Sequence, residues 1–302
     1  MRKKRGSTMA EFWTIGSDRL KIQVVKPGSE IYARTRFNWN CFINRITLDG
    51  EVEFAEPEQR DPSRVTSYGA GVCSEYQHPD AYESARLGEE YPRLGNGYLV
   101  KRDEPVNFMV PEPCRPFPTV WNVKDDSITF TTDMALCQGF AGREVKTVKV
   151  EGNRMTIHTK LTNYGKRTID AQEYNHNFLS LNGEPISPDY TMSLPGFENL
   201  EGGKTLGDNI YGDDKEHCLR LHRLPTEPYM TFLDTVKQDF DSYSYRLTSK
   251  NSTHSITEQD SFKPVRALVW GVEHCMCCEV FVQVHVEPGQ SQEWTRTWTF
   301  EN

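Results

Sequence analysis

The sequence predicts an all-β fold, a large sandwich or barrel in one domain, on three observations. Apolar and polar side chains alternate with a two-residue period, Gly and Pro turns recur at short intervals, and helical periodicity is scarce. The length of 302 residues suits this class, because single all-β domains reach roughly 200–250 residues or slightly more. Hydrophobic residues at 36% and charged residues at 26% provide a core and argue against wholesale disorder.

Residues 1–12 read as a disordered basic tail. Met1-Arg-Lys-Lys-Arg5 is followed by Gly6-Ser7-Thr8, not by the apolar stretch of a secretory signal. Residues 13–302 read as the single domain, since no composition shift, fixed-period repeat or low-complexity tract divides them. Residues 31–48, rich in β-branched and aromatic side chains, read as extended and end at the turn dipeptide Asp49-Gly50. The best helical candidate is short, over residues 82–90. Residues 144–150 and 154–161 are strands joined by the hairpin loop Glu151-Gly152-Asn153. After a turn at 163–166 the chain resumes extended over 167–178. Residues 185–214, rich in Gly, Pro, Asn and Asp, read as a long loop. Residues 267–270, 277–286 and 294–300 are further strands, the last two joined by Glu287-Pro288-Gly289-Gln290.

Charge excludes some functions. Lys and Arg total 35 against 43 Asp and Glu, a net charge of −8, which argues against a nucleic-acid binder that works by neutralising phosphates. No apolar run of about 18 residues is present to span a bilayer as a helix. Eight cysteines without a signal read as free thiols in a reducing cytoplasm.

Glu173-Tyr174-Asn175-His176-Asn177-Phe178 is the densest candidate site. Alternation places Tyr174, His176 and Phe178 on one face of a strand and the two asparagines on the other. His176 is then either a hydrogen-bonded core residue or an acid–base group over a sugar-sized cleft. Glu279 lies inside the apolar run Cys277-Cys278-Glu279-Val280-Phe281-Val282, so it needs a cationic partner or a polar cleft. His274, Cys275, Cys277 and Cys278 lack the spacing of four tetrahedral ligands and read as thiols packing a strand. Gly95-Asn96-Gly97 lacks the strand–turn–helix context of a phosphate loop. Trp294 and Trp298 share a face and read as core.

These segments resemble the aldose 1-epimerase (galactose mutarotase-like) family. Tyr174-Asn-His-Asn-Phe-Leu-Ser-Leu181 is similar to that family's Asn-His motif. Met276-Cys-Cys-Glu-Val280, followed by Val286-Glu-Pro-Gly289 and a closing aromatic strand, is similar to its carboxy-terminal pattern. Arg36-Phe37 and the strand ending at Gly50 resemble its early arginine region, and Tyr68-Gly-Ala-Gly71 leading to Glu75 its glycine-bearing stretch. The likeness runs from about residue 13 to 300 by order and spacing.

The resemblance implies a β-supersandwich with few short helices and a small-molecule sugar as substrate. It implies no metal or organic cofactor. His176 would be the general acid on the ring oxygen and Glu279 the general base on the anomeric hydroxyl, with Arg36, Glu75 and Tyr174 holding hydroxyls. The family's second histidine has no counterpart in Tyr91-Pro-Arg-Leu-Gly-Asn-Gly-Tyr98, so Arg93 or Asn96 would substitute. The alternatives on the same scaffold are a non-catalytic carbohydrate-binding protein and a lyase using Tyr174. The catalytic reading expects His176 and Glu279 on one face, separated by a gap of about 5–8 Å that admits the pyranose carbon.

Overall fold

The computed structural model describes residues 11–61, 69–104, 107, 110–202, 204–237, 240 and 242–302. The first strands are β1 Phe12–Gly16, β2 Leu20–Val25, β3 Phe42–Leu48, β4 Val52–Glu53 and β5 Gly71–Gln77. The short helix α1 Pro79–Ser84 precedes β6 Glu90–Arg93, β7 Gly97–Val100, β8 Cys114–Pro116 and β9 Thr119–Val123. The long strands β10 Ser127–Cys137, β11 Phe140–Glu151, β12 Arg154–Asn163 and β13 Ile169–Phe178 follow. Shorter ones come next: β14 Tyr190–Ser193, β15 Lys204–Leu206, β16 Ile210–Asp213, β17 Cys218–Leu221 and β18 Tyr229–Leu233. The last are β19 Tyr243–Ser249, β20 Ser255–Asp260, β21 Arg266–Gly271, β22 Met276–Val286 and β23 Ser291–Glu301.

Two ten-stranded antiparallel sheets face each other. The first runs β1-β2-β3-β5-β13-β22-β21-β18-β15 with β4 on β3, and the second runs β16-β17-β14-β19-β20-β23-β12-β11-β10-β9. A three-stranded sheet β6-β7-β8 stands apart. The main core lies between the large sheets, where Ile22, Ile46 and Phe54 meet Phe130, Val148, Trp298 and Phe300. The Phe54 and Phe300 rings sit 4.9 Å apart. The fold is an all-β supersandwich, as the alternation and the resemblance predict.

Several sequence expectations hold in detail. Asp49 and Gly50 both adopt positive φ, 52° and 79°, the conformation a tight hairpin between right-twisted strands requires. Trp294 and Trp298 are buried. Others need correction. The helix covers Pro79–Ser84 instead of residues 82–90, because Pro79 pre-sets its first turn and Ala85 is already extended. Only Phe42–Leu48 of residues 31–48 is strand; the remainder crosses the outer face of the first sheet, burying Tyr32 and Phe37. The supposed loop at 185–214 contains β14, β15 and β16, each short and flanked by turn residues. Of the tail expected over residues 1–12, positions 1–10 lie outside the described residues. Phe12 already pairs with Val25. Among the described residues, no helix is long and apolar enough to cross a membrane.

Candidate active site

Strand alternation builds the site on the outer face of the first sheet. The odd-numbered Glu173 and Asn177 of β13 point toward the second sheet, where Asn177 Nδ2 donates to Glu258 at 2.9 Å. The even-numbered Tyr174, His176 and Phe178 therefore point away, as predicted. On β22, Cys278 and Val280 join the inter-sheet core, which leaves Cys277, Glu279 and Phe281 on the outer side. Phe281 stacks on Tyr174 at 4.1 Å. On β5, Tyr174 pairs with Glu75, which shares that outer side.

Between β13 and β22 the backbone ladder opens at the site. Its register runs from Ile169↔Val286 to Glu173↔Val282 and resumes as a bridge at Leu179↔Met276. Continuing the same register places His176 opposite Glu279. Asn177 Nδ2 bridges the opening from behind by donating to the Cys278 carbonyl at 2.7 Å. Side chains span it in front.

His176 lies between two carboxylates. Its Nδ1 is 2.8 Å from Glu279 Oε1 and its Nε2 is 3.2 Å from Glu75 Oε2. The pair is buried, with His176 2% and Glu279 3% exposed. Direct contact replaces the gap of several ångströms expected from the sequence. The ladder register sets the two residues face to face, within direct hydrogen-bond reach. Burial works against a charged imidazole, but the Glu279 carboxylate and both hydrogen bonds outweigh it, so the His176 pKa is raised. Each ring nitrogen faces an acceptor, the arrangement that an imidazolium satisfies.

Glu75 is the hub of the cluster. Arg93 Nη2 reaches its Oε1 at 3.1 Å and Arg36 Nε its Oε2 at 3.4 Å. Burial alone would raise its pKa; the His176 hydrogen bond and the charges of Arg93 and Arg36 lower it to about 2. Tyr174 lies 4.8 Å from the His176 ring. Burial and the nearby Glu75 and Glu279 push its phenol well above its usual range, so it is a hydroxyl donor at neutral pH.

Arg36 also pairs with Glu58 at 3.3 Å and lies 4.8 Å over the Phe37 ring. At 23% side-chain exposure it is the most open charged group of the cluster. Arg93 is more a support than a rim group. Its guanidinium donates to the carbonyls of Thr35 at 2.7 Å and Arg36 at 3.0 Å, pinning the crossing segment over His176. Asn96 stands behind that segment, its Nδ2 donating to the Phe37 carbonyl at 2.8 Å. Phe37 in turn sets its ring edge-on to His176 at 4.8 Å. The structure thus gathers Arg36, Glu75, Arg93, Tyr174, His176 and Glu279, and places Asn96 one residue removed.

Sequence reasoning missed Glu58 and Phe37. Glu58 accepts from the Gly69 backbone N–H at 3.1 Å as well as from Arg36. Its only signal was an acidic pair around a proline, Glu56-Pro57-Glu58. Tyr68, part of the glycine-bearing stretch, lies outside the described residues. Cys275 and Cys277 pack with Phe42 and Phe178. Gly95 and Asn96 lie in the connection of the β6–β7 hairpin, and Gly97 opens β7 opposite Arg93.

The sequence matches no family profile and no curated protein. Its fold matches solved structures over nearly the whole chain. A galactose mutarotase-related enzyme from Lactobacillus acidophilus has a TM-score of 0.59 at 14% identity, covering 96% of this chain and 97% of the other. A galactose mutarotase-like protein from Lactobacillus casei has 0.60 at 13%, with 96% and 100% covered. A protein described as a candidate aldose 1-epimerase from Escherichia coli K12 has 0.61 at 12%, with 96% and 98% covered. The supersandwich that carries His176 and Glu279 is therefore the galactose mutarotase-like fold.

Proposed function

We propose that the protein is an aldose 1-epimerase-like isomerase that interconverts the α and β anomers of a sugar. The observation that carries this reading is His176 held between Glu279 and Glu75, at 2.8 Å and 3.2 Å.

A hemiacetal presents a ring-oxygen acceptor and a hydroxyl donor on one carbon. The Nδ1–H donor of His176 and the carboxylate acceptor of Glu279 lie side by side, matching that pair of groups. Substrate binding replaces the direct contact by an H–O–C–O bridge. Glu279 takes the anomeric hydroxyl proton as the C1 carbonyl forms, the bond from C1 to the ring oxygen breaks, and His176 protonates that oxygen. Rotation about C1–C2 turns the other carbonyl face toward the hydroxyl. The reverse transfers close the ring as the other anomer and restore both groups. Glu75, kept ionised, stabilises the imidazolium that the first transfer needs. Arg36 and Tyr174 are the hydroxyl-binding candidates nearest the opening.

Freshly dissolved α-anomers of aldoses, uronic acids and sugar phosphates, followed by polarimetry or NMR, test the proposal. Equilibration faster than buffer, lost in Glu279→Gln, is the expected result; no acceleration for any sugar rejects it. A second reading, sugar binding without turnover, is favoured by the burial of the acid–base pair. Saturable binding that survives Glu279→Gln without turnover selects it. Release of an unsaturated uronide would instead select a lyase.

A further inference from the structure

A cavity lies outside the His176 cluster, between the segment that crosses the first sheet and β9 of the second. It encloses about 190 Å³ and every residue lining it is uncharged, in a chain where 26% of residues are charged. Three aromatic side chains line it, the half-buried Trp39, the buried Phe117 and Trp121, which is 47% exposed. The polar lining comes from Asn40, Asn96 and Thr119. Asn96 is 3% exposed, and its Nδ2 is spent on Phe37. Its Oδ1 is buried without a hydrogen-bond partner.

The walls are positioned by backbone, not by chance packing. Trp39 N–H donates to the Gly95 carbonyl at 3.0 Å, and Trp39 Nε1 donates to the Arg34 carbonyl at 2.7 Å. Gly95 has φ +84°, and a Cβ there would lie 1.8 Å from Asn38 Oδ1. The turn that presents Asn96 therefore requires glycine. Asn40 Nδ2 and Thr119 Oγ1 both bond Thr132 Oγ1, at 2.5 Å and 3.1 Å, which ties the cavity to β10. Trp121 is braced by the Trp13 ring at 5.4 Å.

We infer that this cavity is an accessory binding site for a neutral saccharide. Indole faces stack on the C–H face of a pyranose, amide and hydroxyl groups meet its hydroxyls, and an uncharged lining disfavours sugar phosphates and uronates. Its Asn96 lies behind Phe37, so the site abuts the His176 cluster without sharing the acid–base pair.

The test uses the full chain labelled with 5-fluorotryptophan and observed by 19F NMR. The probes are methyl glycosides of neutral hexoses and the corresponding disaccharide glycosides, whose locked anomeric carbons cannot be turned over. The Trp39 and Trp121 resonances should shift saturably. Trp121→Ala should weaken binding by about tenfold, the loss of one stacking contact, with an unchanged circular dichroism spectrum. Glu279→Gln should leave the titration intact even if the epimerase reading fails. The inference is overturned by the absence of a saturable shift with any probe, by binding unchanged in Trp121→Ala, or by binding abolished in Glu279→Gln. A response to indole or a proline peptide but to no glycoside overturns it equally.

Discussion

Arg296 Nη2 on β23 lies 2.8 Å from Glu173 Oε2 on β13, joining the two large sheets directly behind His176. The same nitrogen reaches the carbonyls of Glu173 at 3.3 Å and Val280 at 3.0 Å. One guanidinium thus satisfies acceptors on both strands where their ladder has opened. The other terminal nitrogen, Nη1, faces Glu258 at 3.6 Å and Asp260 at 3.4 Å.

Arg296→Met should destabilise the protein by about 3–5 kcal/mol, because it strands buried carboxyl groups and two backbone carbonyls. Arg296→Lys should fall between, since a single ammonium cannot reproduce the planar fork. Urea unfolding of the three proteins checks the order. A Met variant as stable as the parent would mean that the tie is dispensable.

Glu279→Gln and His176→Asn should each lower turnover by roughly 10²–10⁴-fold, the usual contribution of one positioned acid or base. Anomer exchange spectroscopy on the sugar that the panel identifies reads the loss, with circular dichroism as the control for folding. A variant retaining more than a tenth of the activity would remove that residue from the mechanism.

The paired faces of β13 and β22 were legible because alternation is a local property, and Tyr174, His176, Phe281 and Glu279 fall where it puts them. What lies opposite what was not legible. Ladder register joins residues a hundred positions apart, so neither the 2.8 Å contact nor the opening that produces it has a local signal. Residues 31–41 looked like a strand because their aromatic content mimics one. Those aromatics are instead spent roofing the site, with Phe37 against His176. Glu173 read only as a neighbour of the motif; its partner Arg296 came from another sheet.

The raised pKa of His176 fixes a pH dependence. The folded state holds this proton more tightly than the unfolded chain, so its stabilisation is complete below about pH 6.5 and is lost as pH rises through the raised value. Turnover that begins from the imidazolium should decline over the same interval. Glu75 acts in the other direction: lowered from 4.5 to about 2, it stabilises above pH 4.5 and loses that effect on acidification toward 2. Ring 13C and 15N shifts of His176 across the pH range report the first. A ring titrating below 6.5 contradicts the geometry.

Asp260→Asn should stabilise the protein more at about pH 8 than at about pH 5. Burial, then the Glu258 charge, raises the Asp260 pKa well above 3.8. A carboxyl with a raised folded pKa favours folding at low pH and loses that contribution as pH rises. Thermal unfolding of both proteins at the two pH values decides it. Equal losses at both would show an ionised Asp260 serving Arg296.

The strand order also governs how the molecule can be made. In the first sheet β22 separates β13 from β21, and in the second β23 separates β12 from β20. A nascent chain that has reached residue 275 therefore holds two incomplete sheets, each missing one interior strand. The apolar faces of β12 and β13 and their unpaired edges stay uncovered until residues 276–301 arrive. Pairing across such sequence distances is slow, and open edges attract other chains meanwhile. Chaperone capture during synthesis should therefore concentrate on intermediates lacking these two strands, and deletions within them should yield insoluble protein instead of a smaller sandwich.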